Sequence, residues 1–500
     1  MSRSYIDIPS YTFFEDIIAK KYSLSASQYK IFNIANKNQK SVAEFLERGI
    51  CRGDLGIEVG SNNYVEKSPY VFIKTKALQK EHFILDESRD SFEFVLPQVF
   101  YDMKFKKGDV LISKDSNVGE VVILDKDYPK AMVCSGIYRL PIKENKYYLL
   151  GFIKSDLFRQ QIDFLVPKGA TIKHGKTKFL ECMIPIPNNN RENVINYVEI
   201  LVQAIINKEI AIRNKYQLIM QQIEFELEDN QAENKFIYSQ PSIAEIMELD
   251  RMDSSLYSQK FKRKEFLIKN YKRGTSTIFD LGFKISRGQN LQVSNIGKSI
   301  QTTNARDGYY TLILPKFLSK YGTVSYYEYI GNKNELKTLK KGDIIFGAEG
   351  NEKGRSLVVT EDNLNAITNI HGITLNHEND DDLVKSVFVK LFLDYMRMKG
   401  MIDEYAVGSN GGSLAIKYWS IIPFPNFDEN IERDVVKKYY NPDAIYNPTE
   451  HDIYTFLEYD NIFNENAGIC EIDKSMKYLK KLLKEAIQNI ADDQDVQICF

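Results

Sequence analysis

The residues best suited to acid-base or metal chemistry are five histidines, His82, His174, His371, His377 and His451, and none has a partner at metal-ligand spacing. The five cysteines, Cys51, Cys134, Cys182, Cys470 and Cys499, form no C-x-x-C pair and no His/Cys cluster. That pattern argues against a zinc site and a disulfide framework, and predicts a reducing, cytoplasmic location. No G-x-x-x-x-G-K-[ST], H-E-x-x-H or G-x-S-x-G sequence occurs. Residues 408–412 (GSNGG) miss the G-x-G-x-x-G pattern and read as a flexible or DNA-contacting loop. An amino-methyltransferase would need an Asn/Asp-Pro-Pro-Tyr/Phe loop, which Asn441, Pro442, Asp443 and Ala444 do not supply. A metal-dependent nuclease would need spaced carboxylates and a lysine, for which Asp102, Met103 and Lys104 are the nearest scrap. The chain therefore reads as non-catalytic, without a metal or a cofactor of its own.

The elements that could position binding residues are written twice. Lys106, Lys107, Gly108, Asp109 and an apolar run, Val110, Leu111 and Ile112, return as Lys340, Lys341, Gly342, Asp343, Ile344, Ile345 and Phe346. Ile184, Pro185, Ile186, Pro187 and Asn188 return as Ile422, Pro423, Phe424, Pro425 and Asn426. Upstream, residues 23–29 (SLSASQY) have a counterpart in residues 251–257 (RMDSSLY). Offsets of 228, 234 and 238 residues preserve order while loops vary, which means two tandem domains and not a short-period solenoid. In each copy a turn leads into a strand, residues 110–113 or 343–346. A second strand follows a polar loop, residues 118–124 or 356–360, and then a helix, residues 147–162 or 383–397.

From Arg191 to Asp229 there is neither proline nor glycine, and Val194, Val198, Leu201, Ile205, Ile212, Tyr216, Ile219 and Ile223 recur at helical spacing. This predicts one long amphipathic helix, with Asn188, Asn189 and Asn190 as cap candidates. A second stripe, Ile472, Met476, Leu479, Leu483, Ala486 and Ile490, predicts a C-terminal helix. Two such stripes are most simply buried on each other as a coiled coil. The fold class is α+β (mixed α/β), with domains at 1–190 and 240–430, a central helix at 191–239, and a connector with a C-terminal helix at 431–500.

An apolar fraction of 43% is that of a globular chain with a real core, and no run of 18 apolar residues suggests a membrane span. The net charge of −2 averages unlike segments. Residues 251–307 hold twelve Lys/Arg against four Asp/Glu, and residues 428–500 hold sixteen acids against eight bases.

The duplicated K-x-G-D-[VI]-[LI] turns, the loops ending at Gly119 and Gly354, the two I-P-x-P closures and the long helices together resemble the specificity subunit of type I restriction-modification systems. The resemblance implies two target-recognition domains, each reading half of a split double-stranded DNA site, and an antiparallel helical spacer. It implies two methyltransferase subunits as partners and allows restriction/translocase subunits as further ones. S-adenosylmethionine, ATP and Mg are then expected in partner subunits, none being bound by this chain. Two departures stand out: residues 188–192 (NNNRE) replace a Glu/Gln-rich helix start, and the second helix is expected only after Pro442 and Pro448, at Glu471.

For two heads on a rod of roughly 40 to 55 Å, half-sites about one DNA turn apart are expected. Polar loops near each turn, and the segment before each closing proline pair, supply the candidate DNA contacts. In the first head these are Lys114, Asp115, Asn117, Lys173, His174, Lys176 and Lys178. In the second they are Arg287, Gln289, Asn290, Arg306, Glu349, Asn351, Lys353, Arg355, Ser409 and Asn410. The loops differ, KDSNVG at 114–119 against AEGNEKG at 348–354, so the two half-sites should differ too. A scaffold spacing two protein partners without DNA, and a stand-alone DNA-modifying enzyme with an unrecognised site, are the alternatives.

Overall fold

A computed structural model describes residues 3–25, 29–88, 90–166, 175–350, 353–362, 365–377, 383–408 and 412–500. They form two compact units. The first comprises Met1–Ala211, Tyr446–Asn466 and Lys474–Phe500; the second comprises Ile212–Ile445 and Ala467–Asp473. Among the described residues no helix is long and apolar enough to cross a membrane.

In unit 1 the central strand Val110–Ser113 pairs antiparallel with Val121–Ile123 on one side and Ile137–Leu140 on the other. All four residues of Val110–Ser113 are buried, which is why this strand reads as a continuous apolar run and not as an alternation. A second sheet carries Tyr64–Val65, Phe92–Val95, Val71–Ile73 and Ala131–Val133, the last joined in parallel. Phe72, Ile73, Leu111, Val122, Met132 and Ile137 from both sheets share one core. In unit 2 a sheet ordered Phe283–Arg287, Gly372–His377, Ile344–Gly347, Ser356–Val358 stands beside one ordered Ser299–Thr302, Glu328–Asn332, Tyr310–Leu312, Ala366–Ile367. The final pair of that second sheet is again parallel.

The repeated turn has the same construction in both units. The backbone N–H of Lys106 donates to Asp109 Oδ2 at 2.9 Å, and that of Lys340 to Asp343 Oδ2 at 2.8 Å. Gly108 and Gly342 sit between them at φ 88° and 90°, a conformation that a side chain would strain. The tyrosines ending the upstream motif also match: Tyr29 Oη donates to the Ser23 carbonyl, and Tyr257 Oη to the Arg251 carbonyl.

Two helical expectations change. The helix expected over 147–162 is two, Lys146–Ile153 and Asp156–Leu165, because Ser155 adopts an extended backbone and its hydroxyl caps the second by accepting from the Phe158 N–H. The helix expected to wait until Glu471 is preceded by Glu429–Tyr439, which starts directly after the second I-P-x-P behind an Asp428 cap. Phe456–Asn466 follows, and Pro442 and Pro448 lie in the connection between these two helices.

The long helix runs Arg191–Asp229 and the C-terminal helix Ile469–Ala491. Within unit 1 they run antiparallel: Asn188, just before the first, donates to Asp493, just after the second, at 2.7 Å, while further along Lys480 Nζ meets Glu209 Oε1 at 3.3 Å. The burial exceeds a two-stranded seam, since Ile200, Leu201, Val202, Ala204, Ile205, Ile206, Lys208 and Glu209 are all buried. A third helix explains it. Gly151 of Lys146–Ile153 lies so close that a Cβ there would be 3.1 Å from Val202 and 3.5 Å from Leu483.

Candidate nucleic-acid interface

Both units build one loop frame at the end of the strand that follows the Lys-Gly-Asp turn. In unit 1 the Lys114 N–H donates to the Gly136 carbonyl and the Gly119 N–H closes the loop onto the Ser113 carbonyl, each at 2.8 Å. In unit 2 the Ala348 N–H donates to the His371 carbonyl at 3.3 Å, and Gly354 closes onto Gly347 at 2.7 Å. A neighbouring segment crosses beside each loop. Gly56 and Ile57 donate to Ile137 and Val133 at 2.9 and 3.0 Å, and Gly288 and Gln289 donate to Gly372 and Thr368 at 3.0 and 2.7 Å. The crossing needs glycine for reasons of space. A Cβ on Gly56 would lie 2.1 Å from the Cys134 carbonyl oxygen, and one on Gly288 would lie 2.3 Å from that of Asn369.

The segment before each I-P-x-P closure docks on the same loop residue. Gly175 N–H reaches the Lys114 carbonyl at 2.8 Å, and Leu414 N–H reaches the Ala348 carbonyl at 2.9 Å. The fold thereby joins the two stretches of sequence from which the candidates of each head were drawn. Near Leu414, Val407 and Ser413 exchange backbone hydrogen bonds across the Gly-rich loop.

Within this common frame the side chains differ. Unit 1 places Lys114 Nζ 3.0 Å from Asp115 Oδ2, with Asn117 exposed and its carbonyl taken by the Glu120 N–H. Lys176 and Lys178 are exposed on the docked turn, Lys178 paired with Glu181 at 2.7 Å. Unit 2 places Glu349 where unit 1 has Asp115. Glu349 takes Arg287 Nη1 at 3.1 Å and His371 Nδ1 at 2.7 Å. Burial pushes the Glu349 carboxyl up, but His371 and Arg287 outweigh it and hold the group below the ordinary range. Arg287 also donates to the Ile370 carbonyl at 2.9 Å.

The other second-head candidates are mostly held internally. Gln289 Oε1 accepts from the Lys337 N–H at 3.1 Å, and Asn290 Oδ1 accepts from the Gln292 N–H at 3.1 Å. Lys353 pairs with Asp403 at 2.8 Å, and Arg355 Nη1 donates to the Leu318 carbonyl at 2.8 Å. Arg306 is exposed over the Tyr309 ring at 5.7 Å, on the turn between Ser299–Thr302 and Tyr310–Leu312 of the second sheet. Lys173, His174, Asn351, Ser409 and Asn410 lie outside the described residues.

Sequence reasoning gave His371 no binding role, and Lys337 was not singled out. His371 orients Glu349, and Lys337 Nζ donates to Ser286 Oγ at 2.7 Å beside Gln289. The signal for His371 was the pair of triplets Ser135, Gly136, Ile137 and His371, Gly372, Ile373, a further trace of the repeat. Among the described residues no group of three or more His, Cys, Asp or Glu could hold a metal ion. Each loop presents fixed acceptors and cationic donors at a strand end, the groups that read base edges and phosphates.

No protein-family model and no curated protein sequence matches the chain. Solved structures similar to it include the type I restriction-modification S subunit from M. genitalium, at 13% identity, covering 92% of this chain and 96% of that one, with a TM-score of 0.41. The HsdS subunit from Thermoanaerobacter tengcongensis is similar at 11% identity, covering 91% and 97%, with a TM-score of 0.26. A chain from a structure on complex assembly and conformational transition of the type I R-M system is similar at 10% identity, covering 92% and 99%, with a TM-score of 0.25.

Proposed function

We propose that this chain is the DNA sequence-specificity subunit of a type I restriction-modification complex, binding a bipartite duplex site with one loop frame per unit. The observation that carries the reading is one backbone frame built twice with different side chains, Lys114 and Asp115 in one and Arg287, Glu349 and His371 in the other. A frame held by backbone hydrogen bonds fixes where donors and acceptors stand, and the side chains then choose the bases. Neighbouring lysines, Lys176 among them, would neutralise phosphates and set register. On this reading the chain does no chemistry itself. It works in the cytoplasm with two methyltransferase subunits, and with restriction/translocase subunits where present, and those partners hold S-adenosylmethionine, ATP and Mg.

Selection of randomised duplexes by the purified chain should recover two unlike half-sites at a fixed spacing, with binding that weakens as salt rises. Absence of duplex binding at low salt would favour a scaffold for two protein partners instead. Cleavage or methylation by the chain alone would favour the enzyme reading.

A further inference from the structure

Unit 1 holds a cleft of about 270 Å³ that the loop frames do not use, close to the roughly 300 Å³ at which small-ligand pockets begin. Its floor is apolar and aromatic, with Tyr5, Phe83, Leu483 and Ile487 all buried. Its walls are basic: Arg3, Lys80, Lys154, Lys480 and Lys484 line it against two carboxylates, Glu81 and Asp156. The ten-residue helix Asp156–Leu165 starts at the cleft behind its Ser155 cap, which adds the positive end of a helix dipole.

The carboxylates behind these walls are spread thinly. Glu120 takes Lys154 at 3.5 Å and also Arg159, while Glu209 takes Lys480 at 3.3 Å and the His82 ring at 3.4 Å. Two buried carboxylates thus serve four basic side chains. Lys154 Nζ and Lys480 Nζ complete their contacts on neutral carbonyls, those of Gln79 and Glu81, at 2.6 and 2.8 Å. At the mouth, Lys484 is 3.6 Å from Asp156, Arg3 meets Asp492, and Lys80 is exposed. Burial pulls the Lys154 ammonium down to about 7; Glu209 opposes the shift and Lys480 adds to it.

Unit 2 has a buried lysine at the matching place, and there it is satisfied. Lys390 follows Lys154 by 236 residues, between the offsets of 234 and 238 that relate the turns and the closures. It pairs with Asp394 on its own helix at 2.7 Å and lies over the Tyr439 ring at 4.0 Å. A Cβ on Gly322 would overlap its Nζ, so the chain itself fills the space around Lys390, whereas Lys154 lines an open cleft.

We infer that the cleft of unit 1 binds a small organic phosphate, whose phosphate Lys80, Lys154 and Lys484 hold and whose apolar or aromatic body lies on Tyr5, Phe83 and Leu483. A phosphate group carries about −1.5 to −2 charge at pH 7 and three acceptor oxygens, which suits several cations at once where a carboxylate would suit one. The buried rings and aliphatic side chains of the floor supply the apolar surface on which the rest of such a ligand is covered.

Phenyl phosphate and inorganic phosphate, titrated calorimetrically into the full chain, test the assignment. Phenyl phosphate should bind, and more tightly than inorganic phosphate. Lys154→Met should weaken it about tenfold or more, and so should Lys80→Gln with Lys484→Gln, a pair of changes confined to exposed side chains. Selection of randomised duplexes by that pair should match wild type. Absence of phenyl phosphate binding, wild-type affinity in both variants, or equal affinity for the two probes would each overturn the inference. Displacement of bound phenyl phosphate by a short duplex would also overturn it, and would assign the cleft to a backbone phosphate of DNA.

Discussion

The loop at the end of Val110–Ser113 and the loop at the end of Ile344–Gly347 share a backbone and differ in nearly every side chain. Glycine closes both, a second glycine lets a neighbouring segment cross both, and the segment before the proline pair docks on both. Where unit 2 sets Arg287 and His371 around Glu349, unit 1 leaves Asp115 with Lys114. A loop frame can thus be kept by backbone hydrogen bonds and steric exclusion, which depend on glycine and hardly on anything else, while the side chains on it differ between the two units.

The units also differ in how they hold themselves together, and that difference gives the largest expected effects. Each buries a Lys-Asp pair: Lys208 with Asp460 at 2.8 Å in unit 1, on two different helices, and Lys390 with Asp394 at 2.7 Å in unit 2, on one helix. Asp460→Ala and Asp394→Ala each strand a buried ammonium and should cost about 3–5 kcal/mol in denaturant unfolding. Replacing both partners of either pair with apolar residues should recover most of that loss. If Asp394→Ala alone proves mild, the burial of Lys390 is not what it costs unit 2 to fold.

Acid separates the units next. Burial would raise the Glu209 carboxyl of unit 1, but Lys480, His82 and the Phe83 N–H hold it at about 2. A carboxyl depressed in the folded state stabilises fully above its unfolded value and loses that contribution as the pH falls from roughly 4.5 towards 2, on the order of 3 kcal/mol in all. In unit 2 burial raises the Asp343 carboxyl against the Lys340 N–H and Asn376, so its contribution has the opposite sign. Stability measured against pH in this window should fall for wild type and flatten for Glu209→Gln.

Equivalence of the two frames is tested by Gly56→Ala and Gly288→Ala. Each added Cβ meets a carbonyl oxygen, at an expected cost of about 1–3 kcal/mol. Each should also weaken reading of one half-site and spare the other. A substitution that impairs both half-sites equally would break the one-frame-per-unit assignment.

The side chains should show the smallest effects on stability and the clearest on specificity. Arg287→Ala, Glu349→Gln and His371→Ala together should relax preference at the unit 2 half-site, about 1–3 kcal/mol for each base no longer read. Lys114→Ala with Asn117→Ala should do so at the other. Selection of binding sequences from randomised duplexes would check both, and a uniform loss across all sequences would show that these residues serve phosphates only.

Much of this architecture was legible in the residues. The long helix fills Arg191–Asp229, the stretch of its apolar stripe, and stops ten residues short of the 191–239 expected for the central segment; 39 residues without proline or glycine, carrying that stripe, have no better local option. The Lys-Gly-Asp turn was legible because a glycine at positive φ and an aspartate accepting a backbone N–H are local requirements. The break at Ser155 was not, since apolar periodicity continues across it and only the capping hydroxyl shows that the helix restarts. Nor were the helices Glu429–Tyr439 and Phe456–Asn466, whose polar faces mask the few apolar residues that pack.

By itself the sequence determined that there are two copies of one unit, where their turns and closures fall, and that long helices accompany them, because these follow from local periodicity, glycine and proline. Tertiary structure alone decided that Lys114 meets the segment at Gly175, that Glu349 meets Arg287 and His371, and that Asp460 finds Lys208. Those pairings join residues 22 to 252 positions apart, and no local preference encodes which strand ends will meet once the cores have packed.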